Sequence, residues 1–238
     1  SALEHLHVRG FCVVRNWVAP AAIAALRSDA QLLDEAGLPR NAGVGSTRDG
    51  NDGSAIRQDV QVRRSRMLAL HPPPSNAHGH VDTRMALASG VRCLRTQLEE
   101  AEQLALPSLS PWHTELAYLY YPVGGMYKCH IDVPQHRGGW CPLGRSPEDG
   151  GSFSGAALRR EVSMLLYLEQ DWDDADGGHP RIYEDDGPEQ HAVDVLPEGG
   201  TLVLMRSDRV WHEVLETRRP RRCLVGWFRS MSMGHTYT

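Results

Sequence analysis

The chain has 238 residues, of which 41% are hydrophobic and 23% charged, and its formal net charge is -5. This is the composition of an ordinary globular protein with enough residues for one large core, and it excludes collagenous, low-complexity and disordered classes. The acidic balance argues against nucleic acid as an obligate partner, although Arg218, Arg219, Arg221 and Arg222 form one local basic run.

Five cysteines, an odd number with no Cys-x-x-Cys pair, read as free thiols rather than a disulfide framework. The expected setting is the cytoplasm or another reducing compartment, nuclear or organellar. No apolar run approaches the roughly 20 residues needed to span a bilayer, so no membrane partner is expected. The first residues lack the basic and then apolar order of a secretion signal.

In chain order, residues 9–16 read as a strand. Pro20 then opens a helix from Ala21 to about Ala36, stopped by Gly37 and Pro39. Ile23, Leu26, Ala30, Leu33 and Ala36 recur at helical spacing and mark its buried face. Residues 40–55, rich in Gly, Asn, Asp and Ser, read as a loop, and 56–70 hold a short strand. Pro72, Pro73 and Pro74 break the chain. A second helix runs from about Val81 to Ala105, with Met85, Ala88, Val91, Leu94, Leu98 and Leu104 on its apolar side.

From Thr114 the pattern shortens to β segments at 114–121, 126–132, 161–168, 179–184, 191–195, 200–206, 210–216 and 221–228. Residues 133–160 are glycine-rich and read as an irregular insert. Two helices followed by many short strands predict a mainly β fold with supporting helices, a double-sheet barrel or sandwich with helices packed on one sheet.

The chemistry concentrates at His130-Ile131-Asp132 and His212. Side chains two apart on a strand share a face, so His130 and Asp132 can bind one ion, with His212 as the third ligand. Two histidines and a carboxylate on one side of iron(II) leave coordination positions open, whereas zinc with the same donors takes a tetrahedral site. In 221–228, Arg221, Cys223, Val225 and Trp227 share one face, and Arg222, Leu224, Gly226 and Phe228 the other. An arginine pointing into a barrel needs an anionic partner, and the carboxylate of a bound small acid would supply one. Arg218, Arg219 and Arg222 read as solvated turn residues.

Several segments, in order, resemble the prolyl-hydroxylase-like 2-oxoglutarate and iron(II)-dependent dioxygenases. They are Glu115 to Tyr118, Tyr121-Pro122, Gly124 to Asp132, Leu166 to Trp172, Asp176-Gly177-Gly178, Ser207-Asp208, His212 to Val214, Arg221, and Gly226-Trp227-Phe228. The resemblance implies a double-stranded β-helix, a jelly-roll or cupin-like core. It implies one domain over 1–238, with an N-terminal strand and helical support in 1–113 and a catalytic β core in 114–229 that carries the 133–160 insert. Residue by residue, it makes His130, Asp132 and His212 the iron ligands and the catalytic centre. It makes Arg221 and Tyr167 the partners of the distal carboxylate of 2-oxoglutarate, and Tyr121 a further cosubstrate-pocket residue.

The cofactors so implied are iron(II), 2-oxoglutarate and O2, with ascorbate as a candidate reductant. The carboxylate Asp132 implies hydroxylation rather than halogenation. Relatives often carry threonine where this chain has Val225. The implied activity is hydroxylation of proline in a protein or peptide substrate. The alternatives are hydroxylation or demethylation of a small molecule or nucleobase, and a non-catalytic cupin-type metal-binding barrel.

Overall fold

Alternating apolar side chains send one set to each face of a strand, and here both faces are buried. A computed structural model describes residues 1–44, 58–70, 77–133, 136–142, 153–184 and 191–237. Within them the chain folds as α1 (Ala2–Arg9), β1 (Phe11–Val14), α2 (Pro20–Glu35), β2 (Arg40–Asn41), β3 (Arg63–Arg64), β4 (Arg66–Ala69) and α3 (Val81–Glu100). There follow β5 (Glu115–Tyr121), β6 (Met126–His130), β7 (Cys141–Pro142), β8 (Phe153–Tyr167), β9 (Pro180–Tyr183), β10 (Ala192–Asp194), β11 (Leu202–Arg206), β12 (His212–Val214) and β13 (Arg221–Tyr237).

The strands form two antiparallel sheets. The major sheet runs β1-β11-β8-β13-β5-β4-β2, with β7 against β8, and the minor sheet runs β10-β9-β12-β6-β3. On β5, Tyr118 and Tyr120 face the helices, while Ala117, Leu119 and Tyr121 face the space between the sheets. On β13, Leu224 and Phe228 take the helix side, and Cys223, Val225 and Trp227 the inner side. One core therefore lies under α2 and α3 and a second between the sheets. This is a double-stranded β-helix with helices on one sheet, the architecture expected from the sequence.

The boundaries differ in informative ways. Within the expected 133–160 insert the described residues include a short 3-10 turn at His136–Gly139, β7, and the start of β8 at Phe153, while 134–135 and 143–152 lie outside the described residues. β8 pairs with β13, which continues to Tyr237, so these two strands are a long ribbon extending beyond the expected 161–168 and 221–228 segments. Segment 40–55 opens with β2, and its residues from 45 onward lie outside the described residues. The N-terminal third does more than support: β1, β2 and β4 join the major sheet and β3 the minor one.

α1 was not expected. It is a two-turn helix closed by a capping box of Ser1 with Glu4 and by Gly10 in the left-handed region. In α3 the buried residues are Arg84, Leu87, Val91, Leu94 and Leu98, while Met85 is exposed, so the first turn of the apolar face lies one position away from the expected stripe. The reason is Asp29 of α2. It is fully buried, accepts from the Tyr118 hydroxyl at 3.0 Å and pairs with Arg84 at 2.6 Å, so a charge pair takes the place of an apolar contact.

Candidate active site

His212 and His130 are direct cross-strand partners at adjacent ends of β12 and β6. Their rings lie 4.3 Å apart, centroid to centroid. Asp132 does not lie on the strand, as the alternation argument required; β6 ends at His130 and Asp132 sits in the bend that follows. The bend still returns the carboxylate to the imidazoles, with Oδ1 3.7 Å from His130 Nε2 and Oδ2 3.8 Å from His212 Nε2. One ligand atom from each of the three residues lies within 4.8 Å of the others, a set that can hold a metal ion.

Both imidazoles are oriented by the backbone. His130 Nδ1 donates to the Lys128 carbonyl at 2.7 Å, and His212 Nδ1 to the Val210 carbonyl at 3.1 Å. That tautomer leaves a lone pair on each Nε2, on the side of Asp132. Burial, and then the neighbouring His212, lower the His130 pKa, so its ring is held neutral. For Asp132, burial acts upward, but His212, His130, Arg160 and a Ser163 hydrogen bond outweigh it and hold the carboxyl below its ordinary range. A neutral imidazole and an ionised carboxylate are the protonation states that a cation requires.

The surroundings of Asp132 are polar and connected. Ser163 Oγ donates to Oδ2 at 2.6 Å and lies 2.8 Å from Ser207 Oγ. Arg160 Nη1 donates to the Asp132 carbonyl at 3.2 Å, while its other nitrogens engage Glu115. The Arg160 guanidinium also lies 3.8 Å over the Trp227 ring. On the opposite side Tyr127 stacks on His130 with centroids 3.6 Å apart.

Arg221 begins β13 and is 2% exposed. It pairs in register with Tyr121, and its Cζ lies 4.6 Å from the Tyr121 ring and 5.4 Å from the Tyr167 ring. Its Nη1 donates to the Gly178 carbonyl. Gly177 and Gly178 both have positive φ, and a Cβ on Gly177 would stand 2.5 Å from the Glu216 carbonyl, so only glycine lets this turn deliver that carbonyl. Among the described residues no carboxylate pairs with Arg221. Arg221 Nε and the Tyr167 hydroxyl are both buried with no hydrogen-bond partner.

All six residues singled out from sequence, His130, Asp132, His212, Arg221, Tyr167 and Tyr121, thus line one region between the sheets. Arg218 and Arg219 lie in the bend as expected, Arg218 exposed and donating to the Ala175 carbonyl, Arg219 pairing with Asp176. Arg222 is not a solvated turn residue: it stands on β13 and pairs with the buried Glu169. Trp172 is structural, its indole N–H donating to the Gly177 carbonyl. Ser163 and Arg160 went unnoticed in the sequence, and Ser207 entered only as part of a resembling segment, with no role. Ser163 had a signal: it shares parity with Leu165 and Tyr167 on an otherwise apolar inner face, where a hydroxyl must find a partner.

The two sheets thus hold a His-Asp-His set that can take a metal ion and a buried arginine with no carboxylate partner among the described residues. Residues 116–229 match the family described as the 2OG-Fe(II) oxygenase superfamily. The matched residues form a 2OG-Fe(II) oxygenase domain, which makes the chain a 2-oxoglutarate-dependent dioxygenase and implies iron(II), 2-oxoglutarate and O2.

Among solved structures, a prolyl-4-hydroxylase from Pseudomonas putida is 24% identical with a TM-score of 0.69, covering 96% of this chain and 97% of that one. A prolyl hydroxylase from Trichoplax adhaerens, solved with a hypoxia inducible factor peptide fragment, is 20% identical with a TM-score of 0.70 and covers 95% and 86%. The epimerase SnoN from nogalamycin biosynthesis is 16% identical with a TM-score of 0.58 and covers 98% and 86%. No curated protein sequence matches. No helix among the described residues is long and apolar enough to cross a membrane.

Proposed function

We propose that the chain hydroxylates proline in a protein or peptide, with His130, Asp132 and His212 holding iron(II). Arg221 and Tyr167 bind the distal carboxylate of 2-oxoglutarate, and Tyr121 walls the pocket. The donor set suits the metal: two imidazoles, each with Nδ1 on a backbone carbonyl and Nε2 turned toward Asp132, and one carboxylate. The pocket suits the acid. A buried guanidinium without an anionic partner is costly, and a carboxylate meeting Arg221 Nε and the Tyr167 hydroxyl would satisfy two orphaned donors together. A cupin that merely held a metal would need neither group.

When bound, iron and 2-oxoglutarate supply the oxidising chemistry, in which decarboxylation of the cosubstrate is coupled to C–H hydroxylation. The chain's own residues orient and enclose. The Lys128 and Val210 carbonyls fix the imidazole tautomers, and Ser163 holds Asp132. The apolar inner face of β5, β11 and β13 keeps water from the pocket floor.

The observation that carries the substrate reading is the pair of aromatic rings beside the triad. Tyr127 stacks on His130 on one side, and Trp227 lies under Arg160, which is itself hydrogen-bonded to the Asp132 carbonyl. Aromatic walls suit a proline ring in an extended polyproline chain. The two prolyl hydroxylases of the same fold, one of them with a bound peptide, agree with this reading. The same fold in an epimerase of nogalamycin biosynthesis keeps a small-molecule substrate as the second reading. Five unbridged cysteines fit a reducing compartment.

The test is incubation with iron(II), 2-oxoglutarate and ascorbate against a proline-containing peptide library, read by mass spectrometry. Gain of one oxygen on proline is expected. Oxidation of small metabolites alone would overturn the substrate assignment and leave the oxygenase class intact.

A further inference from the structure

Arg63 is a second guanidinium at the site, and the reading above gives it no task. It stands on β3, the edge strand of the minor sheet, in register with Tyr127. Its Cζ lies 4.5 Å from the Tyr127 ring centroid, and that ring is the one stacked on His130. Nε donates to Ser65 Oγ and Nη1 to the Gly43 carbonyl, both at 2.9 Å. These neutral acceptors aim the group without cancelling its charge. The neighbouring Arg64 is exposed and bonds Gly124 at a turn.

Other arginines near the triad have carboxylate partners. Arg160 and Arg229 share Glu115, and Arg159 pairs with Glu161 and Asp208. Among the described residues no carboxylate pairs with Arg63. Its place over the ring that stacks on His130 sets the cation one ring away from the triad.

Counting charge decides what it is for. Divalent iron, Asp132 and Arg221 together sum to two positive charges, which dianionic 2-oxoglutarate cancels. Among the described residues Arg63 is left without a carboxylate, half-buried and one ring away from His130, where an uncompensated charge is unfavourable. We infer that Arg63 binds a carboxylate of the substrate, so that the preferred substrate carries an acidic group next to the position that is modified. This rests on the prolyl reading for the nature of the neighbouring residue, and on the charge count for the anion.

The probes are two fluorescent peptides, a repeat of Glu-Pro and a repeat of Gln-Pro. Their binding is measured by anisotropy to protein loaded with manganese(II) and 2-oxoglutarate, and their hydroxylation with iron(II). Wild type should bind Glu-Pro about tenfold more tightly than Gln-Pro, the scale of one charge-assisted contact. Arg63→Gln should abolish that preference without weakening 2-oxoglutarate, and Arg63→Lys should keep part of it. A variant that loses affinity for 2-oxoglutarate instead would assign the carboxylate to the cosubstrate and overturn the proposal. Equal binding of both peptides by wild type, or binding of neither, would also overturn it. Tight, selective binding with no oxygen gained on proline would overturn the prolyl reading while upholding the role of Arg63.

Discussion

Ser163 Oγ donates a 2.6 Å hydrogen bond to Oδ2 of Asp132, the oxygen that lies 3.8 Å from His212 Nε2. Asp132 stands in a bend beyond the end of β6, so no strand ladder fixes its carboxylate. The hydroxyl pair Ser207–Ser163, anchored on the major sheet, does so instead. A hydroxyl that donates to a ligand oxygen aims the remaining lone pairs and keeps the carboxylate ionised.

Ser163→Ala should therefore weaken metal binding by about 10- to 100-fold, the usual effect of removing such a partner. Ser163→Thr, which keeps the hydroxyl, should restore most of it. Metal titration followed by isothermal calorimetry reads the effect directly. Unchanged affinity in Ser163→Ala would show that the bend alone positions Asp132.

Arg221 separates stability from function. Its guanidinium is buried, and among the described residues it has no carboxylate partner, so in the absence of an acid it is a cost to the fold. Arg221→Met fills similar volume without the charge. The metal-loaded variant should lose the visible charge-transfer band at moderate 2-oxoglutarate, while the ligand-free variant unfolds at a temperature no lower than wild type. A variant that binds 2-oxoglutarate normally would remove Arg221 from the pocket.

The inner and outer faces of β13 were legible because parity is a property of the strand itself: Arg221 shares its face with Cys223, Val225 and Trp227 in both sequence and structure. The metal triad was legible for a weaker reason. The alternation argument put Asp132 on the strand, and the residue reaches His130 through a bend instead, so the three residues converge by a different local route from the one expected. What stayed hidden was partnership across long sequence distance. Nothing local tells that Glu169 will claim Arg222, that Glu115 will claim Arg160, or that Asp29 will draw Arg84 into the core. Residues 153–160 were hidden too, because a strand flanked by glycines and charges has no apolar alternation until it meets its partner β13.

The titration of His130 gives the metal-free protein a pH dependence of definite sign. Its folded pKa lies below the ordinary value, through burial and the neighbouring His212, so the unfolded chain takes up a proton first as pH falls. Between the unfolded value near 6.5 and the depressed folded value, the unfolded state binds more protons and stability rises with pH. Asp132, also depressed in the fold, adds loss of the same sign at lower pH, below the ordinary carboxylate value. Chelator-treated protein should have a lower urea midpoint at about pH 5.5 than at about pH 7.5, and His130→Gln should flatten that difference. An identical slope in the variant would mean that other groups carry the acid sensitivity.

Asp29 tests the helical layer independently of the iron site. It is fully buried, accepts from the Tyr118 hydroxyl and the His80 backbone N–H, and pairs with Arg84, which is 8% exposed. Removing one partner of a buried ion pair leaves the other charge without compensation, which costs about 3–5 kcal/mol. Asp29→Ala should lose stability on that scale in urea titrations. The double variant Asp29→Leu with Arg84→Met, which removes both charges, should recover most of it. Tyr118 faces the helices whereas Tyr121 faces the space between the sheets, so the folded fraction of either variant should bind 2-oxoglutarate with wild-type affinity. Loss of cosubstrate affinity in the stable double variant would show that the helical layer sets the pocket geometry through β5, and not merely the stability of the sheet beneath it.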